Sequence, residues 1–139
     1  MQSNRFIPQS GKILLVETDI TIRNQIQEYL ERKGFSVNLC TNCEEVPSIV
    51  QEAQINLVIL NINALDPSHI HSLRQLQKQF PAVQMVLIAN QDDAFITDRI
   101  HSFMQQGIVG FLLKPFTISD MDPILSSTFE NSVYSTKLL

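Results

Sequence analysis

Three apolar runs in this chain each end on a group able to do chemistry. Glu17, Thr18 and Asp19 follow KILLV, Asn61 follows NLVIL, and Lys114 follows VGFLL. Carboxylates and a lysine gathered at one place suit a divalent cation, with a negatively charged group held between metal and ammonium. A main-chain cradle for phosphate or a dinucleotide would want glycines after the first run, and VETDITI has none. Cys40 and Cys43 form a C-x-x-C. Zinc needs about four ligands, there is no second cysteine pair, and His69, His71 and His101 lie far along the chain. A redox C-x-x-C opens a helix after the first strand of its fold; this one follows the second, so burial in the core is the expectation. Asp66 precedes Pro67 as turn chemistry, and Asp92 and Asp93 suit the positive end of a helix. His69 and His71 stand at a helix start with nothing around them to transfer a phosphoryl group. No nucleophile–base pair stands out, so independent enzymatic turnover is not expected.

The elements that must position these groups alternate. Apolar runs at 12–17, 35–40, 56–62, 83–89 and 109–114 read as strands. Between them, 18–34, 43–54, 67–80 and 92–107 carry helical spacing, and 118–132 follows the last strand. In the first helix Ile22, Ile26, Tyr29 and Leu30 share a face, Asp19 or Thr21 caps the start and Gly34 closes the end. Pro47 must lie near the first turn of the second helix or bend it. Ile70, Leu73, Leu76 and Phe80 line the third. Ser119 is the expected cap of the fifth, with Pro123 early in it. Five apolar strands alternating with five helices predict an α/β fold: a flavodoxin-like, doubly wound parallel sheet of order 2-1-3-4-5. In such a sheet function gathers at the carboxyl ends of the strands, where Glu17, Asn61, Ala89 and Lys114 fall.

The 139 residues suit one domain, with 44% hydrophobic residues to fill a core. Residues 1–11 read as an extension, 12–130 as the domain, and 131–139 as a tail or the start of a linker. Ten basic and 14 acidic side chains leave a net charge of −4 and no basic cluster, so direct nucleic-acid or anionic-membrane binding is not expected. No run is long enough to span a bilayer and the N-terminus lacks a secretory core. A cytoplasmic location is expected.

KILLVETDITIR, NLVILNINALDP and above all GIVGFLLKPF, in this order and on these elements, resemble the receiver domain of two-component response regulators over roughly residues 12–130. The resemblance implies two adjacent acids for Mg²⁺ after the first strand, a phosphoacceptor aspartate after the third, a Thr or Ser after the fourth, and an aromatic switch and a lysine on the fifth. Glu17 falls on the first acid position and Thr18 on the second, with Asp19 next. Asn61 falls on the acceptor, Ala89 on the hydroxyl, Phe111 on the aromatic and Lys114 on the lysine. One acid, the aromatic and the lysine fit; the second acid, the acceptor and the hydroxyl do not.

These departures are chemical. An asparagine amide is a poor nucleophile for forming an acyl phosphate, and Mg²⁺ loses most of its charged ligands, leaving at most a weak site at Glu17. No cofactor is expected. Glu17 and Lys114 are expected to pair with each other instead, with Asn61 in the same network. The sequence therefore predicts an atypical, phosphorylation-independent receiver, a pseudo-receiver. It would bind a protein partner or output domain, or a second copy, through its fourth helix, fifth strand and fifth helix, where Ile96, Arg99, Ile100 and Phe103 are the candidate contacts. The alternatives are a phosphorylatable receiver with an unusual acceptor, and a small-molecule-sensing flavodoxin-like domain.

Overall fold

Five strands form one parallel sheet: β1 (Lys12–Val16), β2 (Ser36–Cys40), β3 (Leu57–Asn61), β4 (Gln84–Asn90) and β5 (Ile108–Lys114), in the order β2-β1-β3-β4-β5. All four pairings are parallel. The structure, a computed structural model, describes residues 11–61, 67–90 and 108–130. The predicted fourth helix, with Ile96, Arg99, Ile100 and Phe103, lies outside the described residues, as do Asp66, Asp92 and Asp93.

Both faces of the sheet are covered, so the inner strands read as unbroken apolar runs. Their side chains alternate between two cores. Leu14, Val16, Val58, Leu60, Met85 and Leu87 pack under α2 (Val46–Ala53) and α3 (Pro67–Gln79), against Val46, Val50 and Leu76. Ile13, Leu15, Leu57, Ile59, Val86, Ile88 and Leu112 face the other way. They meet Ile26 and Leu30 of α1 (Ile20–Arg32), and Met121 and Leu125 of the C-terminal helical segment. Among the described residues no helix is long and apolar enough to cross a membrane.

Local chemistry sets the helix ends. Asp19, not Thr21, caps α1: its Oδ1 accepts from the Ile22 N–H at 3.2 Å. Gly34 follows with φ 100°, a conformation only glycine adopts without strain, and turns the chain into β2. Pro47 stands in the first turn of α2, where a missing N–H costs nothing.

The predicted single fifth helix is corrected. Residues Ile118–Met121 form a 3₁₀ turn, Asp122–Leu125 one α-turn, and Ser126–Glu130 a π-turn. Pro123 lacks the N–H that an uninterrupted helix would use, so the α-turn restarts at Asp122. Ser119 is not the cap. Thr117 precedes the 3₁₀ turn; its N–H donates to Asp120 Oδ2 at 3.0 Å, and its carbonyl accepts from the Asp120 N–H at 2.9 Å.

Candidate functional site at the carboxyl ends of the strands

The register brings the predicted groups to one edge. Val16 lies opposite Leu60, so Glu17 emerges beside Asn61, the last residue of β3. Asn61 pairs with Ile88 and Asn90 with Lys114, which carries the row on to β5. Glu17 is only 1% exposed, the one buried charged residue among the described residues. Such a carboxylate is tolerated only if neighbours replace its water.

Three do. The Asp19 N–H donates to Glu17 Oε2 at 3.0 Å, and Asn61 Nδ2 donates to the same oxygen at 2.8 Å. Only the NH₂ end of the Asn61 amide can face a carboxylate this closely, so the amide orientation follows from chemistry. Lys114 Nζ stands 3.5 Å from Oε1. That is ion-pair distance, but Oε1 receives no aligned hydrogen bond. The contact is therefore mainly Coulombic, between a dry carboxylate and a lysine 21% exposed. The Lys114–Pro115 peptide is cis.

Of the other predicted residues, Asp19 alone is seen to touch Glu17, through its main chain. Thr18 is exposed. Asp19 contributes its main-chain N–H to Glu17, while its carboxylate caps α1. Ala89 is buried at 2% exposure and puts a methyl where a hydroxyl would be needed to hydrogen-bond a ligand. Phe111 is partly buried and packs on the core beneath α2 and α3. Among the described residues no three His, Cys, Asp or Glu side chains come close enough to hold a metal ion. The Asp19 N–H was not foreseen as a donor; a main-chain donor carries no residue-type signal.

Cys40 and Cys43 are not linked by a disulfide, and both pack on the core beneath α2. Burial raises the Cys40 thiol above its ordinary value, and nearby Glu45 adds to the rise; the thiol donates to the Asn42 carbonyl at 3.0 Å. A thiol held protonated is a poor nucleophile and a poor metal ligand. His71 is exposed on α3.

A second polar cluster, which the sequence reading missed, joins α1 to the C-terminal segment. The Tyr29 hydroxyl donates to Asp122 Oδ1, Lys33 Nζ lies 3.5 Å from the same oxygen, and Lys33 stands 5.0 Å from the centre of the Tyr29 ring. The Asp122 hydrogen bond, helped by burial, raises the Tyr29 phenol above its ordinary value. Burial works against the Lys33 ammonium, but Asp122 and Tyr29 outweigh it and raise that group too.

A sheet of order 2-1-3-4-5 with an acid after β1 and a lysine ending β5 can be compared with known proteins. The response regulator receiver domain family matches residues 13–126. The chain belongs to that family. It is 28% identical over 124 residues to the "Probable transcriptional regulator ycf29" of Pyropia yezoensis, covering 89% of this chain and 55% of that protein. It is 30% identical over 108 residues to the "Aerobic respiration control protein ArcA" of Escherichia coli K12, covering 78% of this chain and 44% of that protein. This receiver domain thus spans about half the length of the curated relatives it matches. A solved receiver domain from Clostridium thermocellum superposes with a TM-score of 0.70 at 25% identity, over 92% of this chain and 98% of that one. The chemotaxis protein CheY4 of Vibrio cholerae gives 0.71 at 18%, over 85% and 98%, a likeness of fold.

Proposed function

We propose that this receiver domain works without phosphoryl transfer, as a protein-interaction module whose pocket is closed by its own side chains. One observation carries the reading: both oxygens of Glu17 face protein groups, Oε2 the Asp19 N–H and Asn61 Nδ2, Oε1 Lys114. The residues present do not fit a resident divalent cation. One buried carboxylate, hydrogen-bonded through Oε2 and ion-paired with Lys114 through Oε1, stands where a hard ion would want several free oxygen ligands. Asn61 cannot attack phosphorus as a carboxylate does, and Ala89 offers a phosphoryl oxygen nothing. In this reading the domain is not an enzyme, takes no cofactor and works in the cytoplasm.

Its output is a contact with a protein partner or an output domain. The longer ycf29 relative is named a probable transcriptional regulator, in keeping with a receiver attached to something it controls. We place the contact on β5, an end strand of the sheet, and the segments flanking it. Lys114, the last residue of β5, reaches Glu17 in the pocket from there.

The test is intact-mass analysis after incubation with Mg²⁺ and a small-molecule phosphodonor, paired with amide NMR during Mg²⁺ and beryllofluoride addition. The expected outcome is an unchanged mass and unmoved resonances at Glu17, Asn61, Ala89 and Lys114. A phosphoryl increment on the chain, or saturable shifts centred on those four residues, overturns the reading.

A further inference from the structure

We propose that the outer edge of β2 is an interface between two copies of this chain, paired antiparallel about Asn38. β2 ends the sheet, and its ladder with β1 runs without a shift from Ser36 to Cys40. The Ser36 N–H donates to the Gly11 carbonyl. Alternation then turns the main-chain groups of Ser36, Asn38 and Cys40 toward β1, and those of Val37 and Leu39 outward. Soluble proteins blunt such an edge with charge, proline or a bulge. Ser36-Val37-Asn38-Leu39-Cys40 has none of these. Leu39 is also 40% exposed, one of two large apolar side chains so exposed among the described residues.

The occupant that fits is a second copy, because the edge is complementary to itself. A two-fold axis through Asn38 sets Val37 of one copy opposite Leu39 of the other, twice. Each of these pairs can exchange both of its outward hydrogen bonds. Val37 and Leu39 lie on the same face of the sheet, so the two pairs form a continuous apolar ladder across the dyad. The charges agree as well. Exposed Arg32 and Lys33, paired in their own chain with Glu28 at 3.2 Å and Asp122 at 3.5 Å, precede β2, and exposed Glu44 and Glu45 follow it. Antiparallel pairing lays the basic end of one strand beside the acidic end of the other, at both ends of the interface. A foreign strand could use the hydrogen bonds but would not by necessity carry the crossed charges.

Sedimentation velocity on the 139-residue chain, over a concentration series reaching millimolar, tests this. The expected result is a reversible dimer, weakened by salt. Leu39→Lys changes an exposed side chain and should weaken the dimer about tenfold or more, since the change occurs twice by symmetry; circular dichroism checks that the fold is kept. Arg32→Glu and Glu44→Lys should each weaken it, and the two together should restore it. A monomer throughout overturns the proposal. So does a dimer indifferent to Leu39→Lys, which would sit on another face. Slow amide exchange at Val37 and Leu39 in dilute monomer also overturns it, because the chain itself would then cover the edge.

Discussion

Replace the Asn61 amide by a carboxylate and its 2.8 Å contact with Glu17 turns from a hydrogen bond into two like charges meeting. Asn61→Asp is therefore expected to lower stability by about 1–3 kcal/mol in divalent-free buffer. Millimolar Mg²⁺ should return part of that loss in the variant and leave the natural chain unmoved. Urea titrations with and without Mg²⁺ read both. Lys114→Met leaves Glu17 buried without its counter-charge, at a cost on the order of 3 kcal/mol. Adding Glu17→Gln should recover most of it, because the amide oxygen still accepts from Asn61 and Asp19. A double variant no more stable than Lys114→Met would show that Lys114 acts through packing instead. This triad was largely legible in the sequence, because strand ends in a parallel sheet align. Glu17 after β1, Asn61 ending β3 and Lys114 ending β5 could hardly be placed elsewhere.

At the level of elements, the contacts between helices were the least legible. Tyr29 reads as one more apolar position on α1, and nothing local ties it to Asp122, 93 residues on. Only the sheet order, which sets α1 beside the C-terminal segment, brings them together. The raised Tyr29 and Lys33 groups, and the raised Cys40 thiol, all act in one direction. Each is held protonated more tightly by the fold than by the unfolded chain. Its contribution is complete below the unfolded value, about 8.5 for Cys and about 10 for Tyr and Lys, and is lost as pH rises through the folded value. The thermal midpoint should hold to about pH 8.5 and fall beyond it. Tyr29→Phe should flatten the upper part of that fall, modestly, since Lys33 and Asp122 are partly exposed and screened. A second close contact joins β5 to the C-terminal α-turn. The register shift between Met85 and Val86 places Gly110 where an added Cβ would lie 2.9 Å from Ile124 Cγ1 and Cδ1. Gly110→Ala should cost about 1–3 kcal/mol by overpacking. Trimming Ile124 to Val in the same chain should lessen the loss, which thermal melts would show.

Across the whole molecule, the sheet and its order were readable because burial on both faces makes each inner strand a continuous apolar run. The division of 118–130 into three kinds of turn was not, because Pro123 and packing on β5 compete with helical spacing that looks regular in the sequence. The triad also joins distant parts of the fold. β1 and β5 are not neighbours; β3 and β4 lie between them. The Glu17–Lys114 contact therefore spans the sheet and closes nearly the full length of the domain. Contacts between residues this far apart in sequence repay their loop-closure entropy late. The pocket should accordingly be unformed at the folding transition state. Lys114→Met is then expected to leave the refolding rate almost unchanged and to carry its whole effect as faster unfolding. The same ion pair would act as a clock on the lifetime of the native state.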